Sequence, residues 1–246
     1  MQFFRPLSTV KAITFDLDDT LYNNEPIIQQ AEEALRLHIG KHHPRAATLN
    51  AKQWKRLKVD SIANNPLLAS DMGKLRLTVL RMALSEDFGL SVSDNEPHAE
   101  LDAAVKRCFD CFYDARSNFT LADEVHNTLA TLAQCMPLVA ITNGNVNAKK
   151  VGIDKYFKHI YHASVKRRMK PARDMFDEAS HALNLPPQHI LHVGDNLQKD
   201  VYAAINAGFQ SAWFACNRPM QLHKEPVSVL PHIVLDNLAE LSVFAR

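Results

Sequence analysis

Short runs of aliphatic and β-branched residues recur along the chain, and each closes on a polar residue. They cover 12–16, 137–143, 159–162, 189–195 and 211–214, with a weaker run at 233–235. Near-continuous apolar stretches of this length predict strands buried on both faces. Helical spacing falls between the later runs. Residues 172–183 repeat apolar positions through Met175, Phe176, Ala179 and Leu183, with Pro171 suited to the first turn. A shorter helix is predicted over 200–207, stopped by Gly208. Strands alternating with helices imply an α/β fold with a parallel sheet, whose ligands bind beyond the carboxyl ends of the strands. Asp16, Thr142, Asn143 and Asp195 all fall at such ends.

Residues 24–119 break this alternation. They contain no strand pattern and predict helices at 27–38, 51–63, 74–88 and 100–115, broken at Pro44, Asn64-Asn65-Pro66, Gly89 and Pro97. So long a stretch exceeds an ordinary strand-to-helix connection and is expected to be an inserted helical domain, with 1–23 and 120–246 forming the core. Trp54, Phe109, Phe112 and Tyr113 are expected to pack inside that insert.

Composition adds mainly exclusions. With 46% hydrophobic residues, a sizeable core can form. A net charge of +1 recruits neither nucleic acid nor an anionic membrane, and the densest basic run is only Lys166-Arg167-Arg168. No apolar stretch is long enough to span a bilayer, and residues 1–10 do not read as a leader. Cys108 and Cys111 form a CxxC without a second pair or an adjacent histidine pair in the sequence, so plain packing is expected of them in a reducing cytoplasm. The expected assembly is a monomer or small homo-oligomer.

The chemistry concentrates in four segments. In Asp16-Leu17-Asp18-Asp19-Thr20, alternation along an extended chain points Asp16 and Asp18 the same way. Two carboxylates so close repel unless a cation or a shared proton relieves them, so a simple cation-binding loop and a catalytic pair both remain open here. Thr142-Asn143-Gly144-Asn145 places a hydroxyl and amides around a glycine, a cradle suited to phosphate oxygens. Lys170 adds a point charge for an anion. Gly194-Asp195-Asn196, with Asp200 following, adds the hard oxygen ligands that magnesium prefers.

In order and spacing these four segments resemble the motifs of the haloacid dehalogenase superfamily of aspartate-nucleophile phosphatases, across about 11–23 and 136–215. The resemblance implies a Rossmann-like parallel-sheet core, with the helical insert as a cap between the first and second motifs. It implies Asp16 as the nucleophile and Asp18 as general acid and base, with Lys170 completing the catalytic set. It implies Mg²⁺ on Asp16, Asp195 and the Asp18 carbonyl. Thr142, Asn143, Gly144 and Lys170 would then lie on the phosphoryl group, with Thr20, Asn196 and Asp200 around them. The partner implied is a small phosphorylated metabolite. A narrower resemblance, through Phe4-Arg5-Pro6-Leu7, 16–23 and 137–145, is to bacterial phosphatases of riboflavin synthesis acting on 5-amino-6-(5-phospho-D-ribitylamino)uracil and on FMN. A dehalogenase, a phosphotransferase, a phospho-accepting receiver and a silent binding protein are the alternatives. Asp18, Thr20, Asp195 and Asp200 speak against the dehalogenase, and Asp18 and the large insert against the receiver.

Overall fold

The computed structural model describes residues 1–91 and 96–245. Seven strands form one sheet: β1 (Gln2–Phe3), β2 (Ala12–Phe15), β3 (Leu138–Thr142), β4 (His159–His162), β5 (Ile190–Gly194), β6 (Gln210–Trp213) and β7 (Ile233–Val234). Their order is β1-β7-β6-β5-β2-β3-β4. Every pairing is parallel except β1 with β7, a two-residue edge pairing in which Phe3 lies opposite Ile233. The six predicted runs are all strands, and the sheet is the α/β core that their pattern implies. β1 was not foreseen, because both its residues are exposed and carry no burial signal.

The register explains why the sequence is apolar where it is. β2 is central: Phe15 sits opposite Ala140 of β3 on one side and Val193 of β5 on the other. All residues of β2, β3, β5 and β6 are buried. The edge strand β4 is only half-buried and accordingly carries His159, Tyr161 and His162. The strand order diverges from β2 toward β3 on one side and β5 on the other, which places a topological switch point at its carboxyl end.

The chain separates into two compact units, Met1–Asn24 with Thr120–Arg246 and Glu25–Phe119. The second unit is helical: α1 (Asn24–His42), α2 (Ala51–Asn64), α3 (Met72–Leu84) and α4 (Ala99–Arg116). α1 buries Ala31, Leu35 and Ile39 at four-residue spacing, and α4 buries Leu101, Ala104, Val105, Cys108 and Phe112. These residues form the unit's core with Leu80, Ala83 and Leu84 of α3. Phe112 is buried with the Arg76 guanidinium 3.5 Å above its ring, while Trp54 and Phe109 pack at the core margin. Asn50 opens α2 with a reciprocal cap: its side chain accepts from the Lys52 and Gln53 N–H groups, and the Gln53 side chain accepts from the Asn50 N–H. Gly89, at φ +71°, closes the short 3₁₀ turn Ser85–Phe88 that follows α3.

Four helices flank the sheet: α5 (Asp123–Cys135), α6 (Ala148–Val151), α7 (Asp174–Leu183) and α8 (Ala203–Asn206). Two corrections arise here. α5 was not predicted, because Ala122 supplies no side-chain cap and its buried face is thin, with Thr128 beside Leu129 and Leu132. Pro171 is not in a first helical turn: α7 begins at Asp174, and Pro171 lies in the preceding bend behind a cis Lys170–Pro171 bond. The predicted helix at 200–207 starts earlier, as a π-helical turn at Leu197–Tyr202 capped by Asn196, and runs into α8 before Gly208 at φ +86°. Among the described residues, no helix is long and apolar enough to cross a membrane.

At the β6–β7 edge, the Nδ1 of His232 accepts the Ser211 N–H at 3.1 Å. Burial, aided by nearby Arg5, lowers the His232 pKa to about 4. Protonation would destroy that acceptor. The unfolded chain therefore takes up a proton near the ordinary value of 6.5, while the folded chain resists until about 4. This group's contribution is complete above pH 6.5 and is lost as pH falls to 4. Urea unfolding across that window should show wild-type stability falling more steeply than that of His232→Asn, which keeps an acceptor. The difference should be on the order of 1–2 kcal/mol, given partial exposure to solvent. Parallel slopes would contradict this account.

Candidate active site

The carboxyl ends of β2, β3 and β5 bring the four sequence segments into one place. Asp16 leaves β2 with its N–H bonded to the Val193 carbonyl at 2.8 Å, which fixes the first loop against β5. At the centre is Lys170, 1% exposed. Its ammonium lies 2.9 Å from Asp16 Oδ1 and 2.6 Å from Asp200 Oδ1, and donates to the Ile141 carbonyl at 2.8 Å. A buried ammonium needs such partners, since an uncompensated one costs several kcal/mol.

Asp16, Asp195 and Asp200 each place a carboxylate oxygen within 4.8 Å of the others. The three differ sharply in environment. Burial raises Asp16 to about 8; repulsion from Asp200 and Asp18 adds to this, and Lys170 opposes it. Burial also raises Asp195 to about 6, with Arg218 opposing. Asp200 goes the other way: burial pushes it up, but Lys170 and His192 outweigh that and hold it well below the carboxylate range. Asp200 is also saturated. Its Oδ1 receives Lys170 and the Nε2 of His192 at 3.3 Å, and its Oδ2 receives the Asn196 N–H at 2.9 Å.

These values bear on a cation. Together with Asp18, the site holds two more carboxylates than cations, counting Lys170 and Arg218. Every donor is a hard oxygen. Asp16 and Asp195, whose ionisation burial opposes, each keep one carboxylate oxygen that accepts no hydrogen bond or ion pair from the described residues. Mg²⁺ fits such a set in donor type and in charge.

Asp18 accepts a hydrogen bond from the Tyr22 hydroxyl at 2.7 Å, and its Oδ2 lies where a side chain on Gly144 would project. A Cβ at Gly144 would come within 2.4 Å of that oxygen, so glycine is what admits the Asp18 carboxylate. Thr142, fully buried, accepts the Gly144 N–H on Oγ1 at 3.0 Å. Asn143, expected on the phosphoryl group, has its side chain engaged elsewhere. It donates to the Lys170 carbonyl at 3.0 Å and accepts the Lys170 N–H at 2.7 Å, clamping the lysine backbone. The Asn196 side chain caps the turn at Gln198 and Lys199. Thr20 is buried, its hydroxyl without a hydrogen-bond partner among the described residues.

Several contributors escaped the sequence reading. His192, fully buried in β5, is one: it bridges Thr14 Oγ1 (2.8 Å) to Asp200. Asp19 adopts φ +60°, and its backbone and side chain gather Tyr22, Asn24, Cys216 and Asn217 around the first loop. Arg218 binds Asp195 Oδ2 at 2.9 Å and the Asp195 carbonyl at 2.8 Å, and is itself held by Glu225. The Asn217-Arg218 loop follows β6 and belongs to none of the four motifs, so only the fold reveals it.

Known proteins are similar to this one along nearly the whole chain. The description "haloacid dehalogenase-like hydrolase" covers residues 10–208. The 5-amino-6-(5-phospho-D-ribitylamino)uracil phosphatase YigB of Escherichia coli (strain K12) is 34% identical over 242 residues, 98% of this chain and 99% of that one. The N-acylneuraminate-9-phosphatase of Homo sapiens is 25% identical over 243 residues, 96% of this chain and 93% of that one. A crystal structure of a 2-haloacid dehalogenase from Pseudomonas syringae pv. Tomato DC3000 superposes with a TM-score of 0.86 at 28% identity, covering 96% of this chain and 98% of that one. The chain belongs to the haloacid dehalogenase-like hydrolase family, as an enzyme of its phosphoric monoester hydrolase class.

Gly194 offers a test of how rigid this site is. A Cβ there would approach Asp200 Cγ to 2.3 Å, and Asp200 cannot retreat without breaking its bonds to Lys170, His192 and Asn196. Gly194→Ala should destabilise the protein by about 2–4 kcal/mol. Gly40→Ala, in exposed α1 with nothing within 4 Å, should instead stabilise by up to about 1 kcal/mol. Chemical denaturation of both variants checks this, and a neutral Gly194→Ala would refute the rigidity.

Proposed function

We propose that the chain hydrolyses a small-metabolite phosphomonoester through an aspartyl-phosphate intermediate, with Mg²⁺ as cofactor. The observation that carries this reading is the convergence of the Asp16, Asp195 and Asp200 carboxylates within 4.8 Å of one another around the Lys170 ammonium. Asp16 would attack phosphorus, breaking the bond to the leaving oxygen, to which Asp18 delivers a proton. Asp18 would then take a proton from the water that cleaves the acyl phosphate. Its placement against Gly144, with Tyr22 on its other oxygen, supports that role. Thr142, Gly144 and Lys170 would hold the phosphoryl oxygens, with Asn143 acting through its backbone. Mg²⁺, held by Asp16, Asp195 and the Asp18 carbonyl, would supply the positive charge that lets two anions meet.

The substrate proposed is 5-amino-6-(5-phospho-D-ribitylamino)uracil, with FMN as a second ribityl phosphate. Identity of 34% over almost the full length of YigB supports it. The helical residues 24–119, lying between the first and second motifs in sequence, are read as the lid that selects the substrate. A second reading, dehalogenation, is favoured by the similarity to the Pseudomonas syringae structure. It would need neither magnesium nor a proton donor for a halide, so Asp18, Asp195 and Asp200 together favour phosphate.

The decisive measurement is turnover of a phosphorylated-metabolite panel with and without chelator. Activity should vanish in EDTA and return with Mg²⁺. Asp16→Asn should remove it by about a thousandfold or more while leaving the fold intact. The ribityl phosphates should give the highest kcat/KM; simple sugar phosphates matching them would remove that substrate. Metal-independent halide release from 2-chloropropionate, with no phosphatase activity, would establish the second reading instead. Gly144→Ala, which must displace the Asp18 carboxylate, should lower kcat about a hundredfold with KM little changed. Unaltered kcat would sink the assignment of Asp18 as proton donor.

A further inference from the structure

The helical unit contains a second group of metal-competent side chains, which the phosphatase chemistry leaves unused. His38 stands near the end of α1, His43 just beyond it and Cys108 midway along α4. One imidazole nitrogen of each histidine and the Cys108 Sγ all lie within 4.8 Å of one another. In sequence, no histidine pair stands near Cys108-Cys111; the packing of α1 with α4 supplies one. Cys111 lies outside the group, its thiol directed to the Ala34 carbonyl at 3.6 Å.

Burial makes the cluster notable. Cys108 is 0% and His43 5% exposed. Neither imidazole makes a hydrogen bond with any described residue, and both border an open cavity. The His42 ring lies 4.7 Å from that of His38 and 6.4 Å from that of His43, between centroids. The three histidines line a cavity of about 550 Å³ with Arg45, Asp87 and Phe88. Asp87 is already committed, accepting the Arg45 and Ala46 N–H groups at 2.9 and 3.0 Å and so fixing the chain after α1. Two imidazoles and a thiol in a histidine-x₄-histidine plus cysteine arrangement suit a borderline-soft divalent ion, and do not suit the oxygen-seeking Mg²⁺.

We propose that His38, His43 and Cys108 form a zinc site, with three protein ligands and a fourth position open to the cavity for water. The ion ties the end of α1 to the middle of α4. Zinc uptake forms the Zn–S bond and breaks the Cys108 S–H bond, releasing one proton to solvent.

The test uses the full-length protein, stripped with chelator and titrated with Co²⁺ in excess Mg²⁺, which keeps the carboxylate site filled. A saturable thiolate-to-cobalt charge-transfer band at one equivalent, abolished by one equivalent of Zn²⁺, is the expected result. Cys108→Ser should lose the band. His38→Ala and His43→Ala should weaken Co²⁺ binding by about tenfold or more. Cys111→Ser should retain the band. Asp16→Asn should retain it as well, which separates this site from the phosphatase chemistry. Absence of the band in the wild type, or its survival in Cys108→Ser, would overturn the proposal. Should Cys108→Ser fail to fold, thermal unfolding decides: Zn²⁺ should raise the Tm of the wild type but not of His43→Gln, and equal shifts in both would overturn the site.

Discussion

The core depends on one buried ammonium shared between two buried carboxylates. Lys170 lies within 3 Å of both Asp16 and Asp200, in a pocket that none of the three leaves appreciably. Without it, two carboxylates at such separations repel by roughly 4 kcal/mol even at an effective dielectric near 20. With it, the two acids take up different states. Asp200 is bonded on both oxygens and stays ionised. Asp16 shares only one oxygen with the lysine, and burial resists its charge. One carboxylate is thus saturated, while the other keeps an oxygen that accepts no hydrogen bond from the described residues.

The topology makes this division possible. A parallel sheet delivers the ends of β2, β3 and β5 side by side although their residues are far apart in the chain. The π-helical turn after β5 then swings Asp200 back beneath Asp195, and the bend before α7 carries Lys170 in from the side. Gly194 and Gly144 mark the two places where a carboxylate passes so close to the backbone that no side chain fits.

The sheet was legible in the sequence because its strands are buried on both faces and read as uninterrupted apolar runs. Three of the four chemical segments were legible because each sits where such a run ends; Lys170 lies eight residues beyond β4. The rest follows from contacts that no local pattern encodes. β1 has no burial signal, α5 lacks a capping side chain, and Pro171 precedes its helix by a bend instead of starting it. Arg218 and Asn217 reach the site from a loop outside the motifs. Asn143 was placed on the phosphoryl group by its position in the motif; its side chain pairs with the backbone of a residue twenty-seven positions away, which leaves its own backbone for that contact.

That reciprocal pairing sets a limit on how the enzyme can be redesigned. The Asn143 amide gives one hydrogen and takes another, a match that aspartate, serine or threonine cannot reproduce, and aspartate would also add charge to an acidic neighbourhood. Changing this side chain in search of new substrates would release the lysine that neutralises the acids. Variation that alters selectivity is therefore confined to positions whose polar groups do not hold the buried Lys170 in place.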